Sequence, residues 1–261
     1  MAGVCRRMAN PFLRKMAYGA DLTAEDRALL ADMSSNPREV PARTNLVSEG
    51  DKPRNVHLVM SGYACRYKVL PDGRRQIMAI FVPGDVCDLH VQILGEMDHS
   101  IGTLSDASVV EISPAQIDEL IANPRINRGL WWMTLVDEGT LREWLVSMGQ
   151  RGAVEQMAHI FCELHLRLRS VGLAENDSFN LPGTQEDLAD LMGVTAVHVN
   201  RTLATLREKD LIRIDRGRLT IPSVDRLRAF GGFDPNYLHL RDGRGRGDQM
   251  REAPVTRSPD P

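Results

Sequence analysis

Between residues 184 and 209 the chain reads TQEDLADLMGVTAVHVNRTLATLREK, and apolar positions recur every three or four residues in two separate runs. Leu188, Leu191 and Met192 make the first stripe, and Val199, Leu203 and Leu206 make the second. That spacing predicts two short, half-buried helices. Thr184 is a good cap for the first helix, and Glu186 and Asp187 sit where negative charge suits a helix start. Gly193 stands where a helix stops and the backbone needs positive φ. Thr195 can cap the second helix. Val197, His198, Asn200, Arg201 and Thr205 remain on or near the outer side. Two helices across a short glycine turn form a helix-turn-helix, whose second helix can lie in a DNA major groove. The outer residues suit that task. Arginine can pair with guanine O6 and N7, asparagine with adenine N6 and N7, and an apolar group can touch a thymine methyl. The same pattern also permits an ordinary helical hairpin with a solvated face.

The flanking patterns extend this picture. Residues 211–214 and 219–221 alternate as strands on either side of Asp215-Arg216-Gly217-Arg218. A hairpin directly after the second helix makes a winged helix, and Arg216 and Arg218 at its tip could reach phosphate. Upstream, residues 151–171 carry a helical stripe, and residues 124–149 read as one long helix opened by Pro124. A seam runs along that helix at Leu130, Thr134, Asp137, Leu141, Trp144 and Met148, with Trp131, Trp132 and Leu135 as a second apolar face. So much apolar surface implies packing on two sides, and a parallel homodimer is the economical answer.

From residue 40 to 112 the period changes to two. Short alternating runs at 55–62, 63–70, 75–82 and 108–112 are divided by Pro71-Asp72-Gly73 and Pro83-Gly84-Asp85, which predicts a small antiparallel barrel or sandwich. Thr23 and Asp26 open a helix at residue 24, and Pro114 opens another. The expected class is therefore α+β. A flexible N-terminus (1–20) precedes a β sensor domain (21–123), the dimerisation helix (124–149), the winged helix-turn-helix (150–230) and a disordered tail (231–261).

Composition adds little. The chain has 261 residues, 43% of them hydrophobic, and a net charge of −3, so no overall basic balance announces nucleic acid and only a local patch could serve. The four cysteines, Cys5, Cys65, Cys87 and Cys162, are far apart and form no CxxC pair, which suggests reduced thiols in the cytoplasm. No apolar run reaches the ~18 residues of a membrane span. Translation could begin at Met8 as well as at Met1. No nucleophile–base pair, phosphate loop or specific metal motif suggests an enzyme.

The order of elements from about residue 22 to 230 resembles the Crp/Fnr superfamily of bacterial transcription regulators. The resemblance is carried by Thr184-Gln185-Glu186-Asp187-Leu188-Ala189, Gly193-Val194-Thr195, His198-Val199-Asn200-Arg201-Thr202-Leu203 and Phe81-Val82-Pro83-Gly84-Asp85. It implies a cyclic-nucleotide-binding-like β-roll, a homodimer on a palindromic operator, and RNA polymerase as a further partner, although no surface for the polymerase is identifiable. It also implies base contacts from Val197, Asn200 and Arg201 and phosphate contacts from Thr184, Gln185, Thr195 and His198. Val197 stands where many members carry a glutamate, so the half-site should differ there. An effector pocket would fall at Asp88, His90, His99 and Ser100. The Gly-Glu and Arg-Ser pairs of cyclic-nucleotide binders are missing at these positions, so a cyclic phosphate loses its bidentate partner. Cys5 alone cannot supply the four thiolates of an iron–sulfur cluster. Haem on His57, His90 or His99, a metal among Asp88, His90, Asp98 and His99, and redox chemistry at Cys87 are less economical than ordinary structural roles. The effector is left unknown. The alternative to a DNA-binding regulator is a small-molecule-binding β-roll whose winged helix makes protein contacts only; a steep fall of specific DNA affinity with salt would separate the two.

Overall fold

The computed structural model describes residues 10–89 and 91–240. The expectations for Met1, Cys5, Met8, His90 and the tail beyond residue 240 lie outside the described residues. The described residues begin with helix α1 (Pro11–Gly19), which corrects the expected flexible segment over these positions. Asn10 caps it by accepting from the Phe12 and Leu13 N–H groups, and Pro11 occupies the first turn. Phe12 and Met16, one turn apart, are fully buried. The helix lies close against the long helix, where a Cβ added to Gly19 would fall 2.6 Å from the Trp132 Cβ. A nine-residue helix has too short a period to stand out in sequence; its stability comes from this packing. Helix α2 (Ala24–Met33) follows with the Thr23–Asp26 capping box that the sequence predicts.

The β-roll contains two four-stranded antiparallel sheets. Its strands are β1 (Arg38–Val40), β2 (Asn45–Val47), β3 (Val56–Ser61), β4 (Ala64–Val69), β5 (Arg75–Phe81), β6 (Val86–Cys87), β7 (Ser100–Thr103) and β8 (Ala107–Ile112), with a short helix α3 (Val91–Leu94) between β6 and β7. One sheet has the order β1-β8-β3-β6 and the other β2-β7-β4-β5. Leu58, Val59, Ala64, Ile77, Ile80 and Ile101 fill the space between them. At Gly62, between β3 and β4, an added Cβ would lie 2.1 Å from the Asp106 carbonyl oxygen, and φ is +73°, so only glycine fits.

Helix α4 (Pro114–Ala122) leads into α5 (Pro124–Gln150), a 27-residue rod, and then α6 (Ala153–Ser170). The winged module comprises β9 (Ser178–Asn180), α7 (Gln185–Met192), α8 (Ala196–Glu208), β10 (Arg213–Asp215), β11 (Arg218–Thr220) and α9 (Val224–Gly231). Strand β9 lies in a segment that reads as a loop in sequence; it pairs with β11, opposing Phe179 to Leu219. Among the described residues no helix is long and apolar enough to cross a membrane.

A second correction concerns residues 232–240, expected to begin a disordered tail. They run past α9 as an ordered strap with a 3-10 turn at Pro235–Leu238. Phe233 and Leu238 are buried, and the Tyr237 hydroxyl donates to Glu163 Oε2 at 2.9 Å. The backbone of Tyr237 passes over Gly139 of α5, whose missing side chain leaves room for it. The Gly, Arg, Asp and Pro of the sequence beyond α9 suggest disorder, but a partner 74 residues upstream holds this segment.

Candidate nucleic-acid interface

Helix α7 is capped at both ends as the sequence implies. Thr184 and Asp187 form a capping box, and Gly193 takes the left-handed conformation at φ 67°. Thr195 accepts from the His198 N–H at 3.3 Å and starts α8. Val199, Leu203 and Leu206 pack inward, fully buried or nearly so. Val197 is 62% exposed, and His198, Asn200 and Arg201 are exposed beside it. Among the described residues the side chains of Asn200 and Arg201 make no hydrogen bond or ion pair. Thr205 is half-buried, and its hydroxyl donates back to the Arg201 carbonyl at 3.0 Å. The wing turn is a two-residue loop with Arg216 at φ 47° and Gly217 at φ 79°, and Arg216 and Arg218 are exposed. At the start of α7, Gln185 is exposed. Thr184 is committed to its cap, since both its N–H (2.7 Å) and its hydroxyl (2.8 Å) donate to Asp187 Oδ2.

The residues expected to form an effector pocket do not form one open site. Asp88 and His99 come together, but in a buried charge cluster. Arg66 donates to Asp88 Oδ1 through Nε (3.0 Å) and Nη2 (2.6 Å), and Nη2 also reaches Asp137 Oδ2 of α5 at 3.0 Å. His99 places Nε2 3.1 Å from Asp88 Oδ2 and Nδ1 beside Asp98. Ser100 points elsewhere, its hydroxyl accepting from the Glu49 N–H at 3.0 Å. Next to this cluster Asp85 is bridged by Lys15 of α1 and by Arg167 of α6, which in turn holds Glu163. Burial and the adjacent Arg167 guanidinium lower the Lys15 ammonium to about 7. Sequence reading missed Arg66, Lys15 and Arg167 because nothing local marks them, and it took Asp85 only as part of a turn.

A cyclic nucleotide does not fit these residues. The cavity between β-roll and α5 is about 60 Å³, against roughly 300 Å³ or more for ordinary ligand pockets. Its cations are already paired, and Asp85, Asp88 and Asp137 on its walls would repel a phosphate. His57 is buried within the roll, and its partners across the strands are Cys87 on β6 and Glu111 on β8. Cys65, Cys87 and Cys162 are buried, and burial pushes the Cys65 and Cys162 thiols up to about 12. Thiols that stay protonated are poor nucleophiles.

On α5 the expected seam is displaced. Leu130 and Trp144 are buried inside their own chain, where Trp144 Nε1 donates to Glu163 Oε2 at 2.9 Å. Thr134 and Asp137 are half-buried, with Asp137 held by Arg66. Leu141 and Met148 are exposed, and with Trp131, Leu135 and Leu145 they mark the open apolar face, turned about one residue from the expected line. Periodicity finds two apolar faces on such a helix but does not say which one the β-roll and α6 will take.

An exposed second helix with uncommitted outward side chains, flanked by a basic β-ribbon and joined through a long helix to a β-roll, defines a winged-helix DNA-binding transcription regulator. Residues 155–230 match the Crp-like helix-turn-helix domain, and residues 37–123 match the cyclic nucleotide-binding domain. The chain is 29% identical over 195 residues to a probable transcriptional activator of Rhizobium leguminosarum bv. viciae, covering 73% of this chain and 79% of that one. It is also 29% identical over 183 residues to the nitrogen fixation regulation protein FixK of Bradyrhizobium diazoefficiens, covering 70% of this chain and 76% of the relative. The solved structure of FixK2 from Bradyrhizobium japonicum shares the fold at a TM-score of 0.67 and 24% identity, over 75% of this chain and 96% of that chain. The chain belongs to the Crp/Fnr family of transcriptional regulators.

Proposed function

We propose that the protein acts in the bacterial cytoplasm as a homodimer on a palindromic operator, each subunit placing α8 in one major groove. In this reading Val197, Asn200 and Arg201 meet base edges, while Gln185, Thr195, His198, Arg216 and Arg218 meet phosphate, with Thr184 shaping the cap between them. The observation that carries it is the outer face of α8, where Asn200 and Arg201 are exposed and uncommitted. Two such helices bound to one face of DNA stand about 34 Å apart, so half-sites one helical turn apart are expected. Valine at position 197 cannot accept from cytosine, which favours a thymine methyl at that step. RNA polymerase is the natural further partner of such a regulator. Cyclic nucleotide is not its signal in this reading, given the small, acid-lined cavity beside Arg66 and Asp88.

The dimer would close over the Trp131, Leu135 and Leu145 face of α5, which is too apolar to stay in water. Selection from a randomised duplex library, followed by gel-shift titration, tests the whole reading. A two-fold symmetric consensus is expected; equal affinity on every sequence would contradict base readout. Leu145→Glu should give monomers in sedimentation and lose most operator affinity, since each half-site alone binds weakly. Dimers that survive the change would move the interface off this face.

A further inference from the structure

The winged module is fastened to its own β-roll by a group of polar contacts along α7. Arg75, on β5, donates through Nε to Asp190 Oδ2 at 2.6 Å and pairs through Nη2 with Asp187. Its guanidinium also lies over the Tyr67 ring, 5.7 Å from the centroid. Gln76, the next residue, donates to the Leu191 carbonyl at 3.3 Å, and Gly193 at the end of α7 faces the Gln76 side chain. Asp187 is only 5% exposed and is also the residue that closes the Thr184 cap. One carboxylate therefore sets the start of α7 and receives the β-roll's arginine. These contacts use the inward side of α7 and leave Val197, Asn200 and Arg201 open.

We propose that Arg75 is a positioning residue for DNA recognition: by bridging Asp187 and Asp190 it fixes the orientation of the winged module on the β-roll, and so sets the half-site spacing that the dimer accepts. This rests on the reading above, that α8 meets DNA as one of a pair. A module free to swing would still match one half-site but would lose the preset distance to its twin. The ordering would then be completed only on binding, at a cost in affinity.

The test uses the full-length protein and the operator recovered by selection, with one base pair added or removed between the half-sites. Arg75→Ala should bind the parent operator about tenfold more weakly and should discriminate less among the three spacings. Arg75→Lys, which cannot bridge both carboxylates, should fall between, and Arg75→Asp combined with Asp190→Arg should recover part of the spacing preference. Asp190→Asn leaves the Thr184 cap untouched and should reproduce the effect if Arg75→Ala does not fold. Without DNA, spin labels at Lys52→Cys and Arg207→Cys, in dimers diluted with unlabelled protein, should show a broader intrasubunit distance distribution once the arginine is gone. Unchanged or tighter binding, an equal loss at every spacing, or an unaltered distance distribution would overturn the proposal. A spacing optimum in the unaltered protein reports the underlying reading by itself, so failure of that reading is visible separately.

Discussion

The outer face of α8 and the interior of the β-roll both carry polar side chains but use them in opposite ways. In the roll, Arg66, Asp88, His99, Asp85, Lys15 and Arg167 are spent on one another, buried and tied across α1, α5 and α6. On α8, Asn200 and Arg201 stand in water without a protein partner among the described residues. Buried charges have to be paired, because desolvation would otherwise cost several kcal/mol. A reading face must keep its donors unpaired, because its specificity comes from pairing with another molecule. The family likeness alone does not separate the two regions; the physical contrast does, since only the α8 side chains are left unpaired among the described residues.

The largest effect should come from breaking the committed region. Asp88 is 3% exposed and has φ 52°, a conformation that asparagine also tolerates. Asp88→Asn keeps the shape and removes the charge, leaving Arg66 with Asp137 as its remaining carboxylate. Losing one partner of a buried pair costs about 3–5 kcal/mol of stability, readable from urea denaturation. A loss under about 1 kcal/mol would match an exposed pair instead, and the contrast drawn here would fail.

The uncommitted region should behave in reverse. Arg201→Ala should cost about 1–3 kcal/mol in specific DNA binding and relax one operator position, while global stability stays within about 0.5 kcal/mol. Gel-shift titration over single-base operator variants, beside a melting curve, checks both halves. An equal loss on every sequence would reduce Arg201 to a phosphate contact.

This asymmetry also explains what could be read from sequence. Helices α7 and α8 were legible because their signals are local: the Thr184 and Thr195 caps, Gly193 and two apolar stripes lie within one short stretch. The β-roll cluster was not, because Arg66 meets partners 22 and 71 residues away and no periodic pattern reports such pairings. The length of α5 was legible, but its open face was misplaced, since Leu130 and Trp144 look like seam residues until the packing of β-roll and α6 is known. Helix α1 and the 232–240 strap were missed for the same reason: short segments held by distant partners resemble coil. Asp88 and His99 were singled out because the family resemblance puts an effector pocket at their positions, and position alone does not distinguish a site from a sealed ion cluster.

The smallest effect separates the two regions by pH. His99 is 5% exposed, and burial works against its charge, but the hydrogen bond and charge of Asp88 outweigh that and hold its proton above the ordinary histidine range. The folded protein thus keeps a proton that the unfolded chain releases near the ordinary value of about 6.5. The stability this contributes is complete below that pH and is lost as pH rises through the folded value. His57, His159 and His165 act with the opposite sign. Burial lowers their affinity for the proton, so their contribution is complete above the ordinary range and is lost as pH falls. His99→Gln should therefore remove the fall in stability that begins above the ordinary histidine range, and cost less than Asp88→Asn. Denaturation midpoints across neutral pH measure it, with operator binding per folded molecule unaltered because His99 lies apart from α8. Lys15, lowered to about 7, adds a rise in stability above neutral pH in both proteins, so the readout is the difference between them; a difference that does not change with pH would assign the titration to another group.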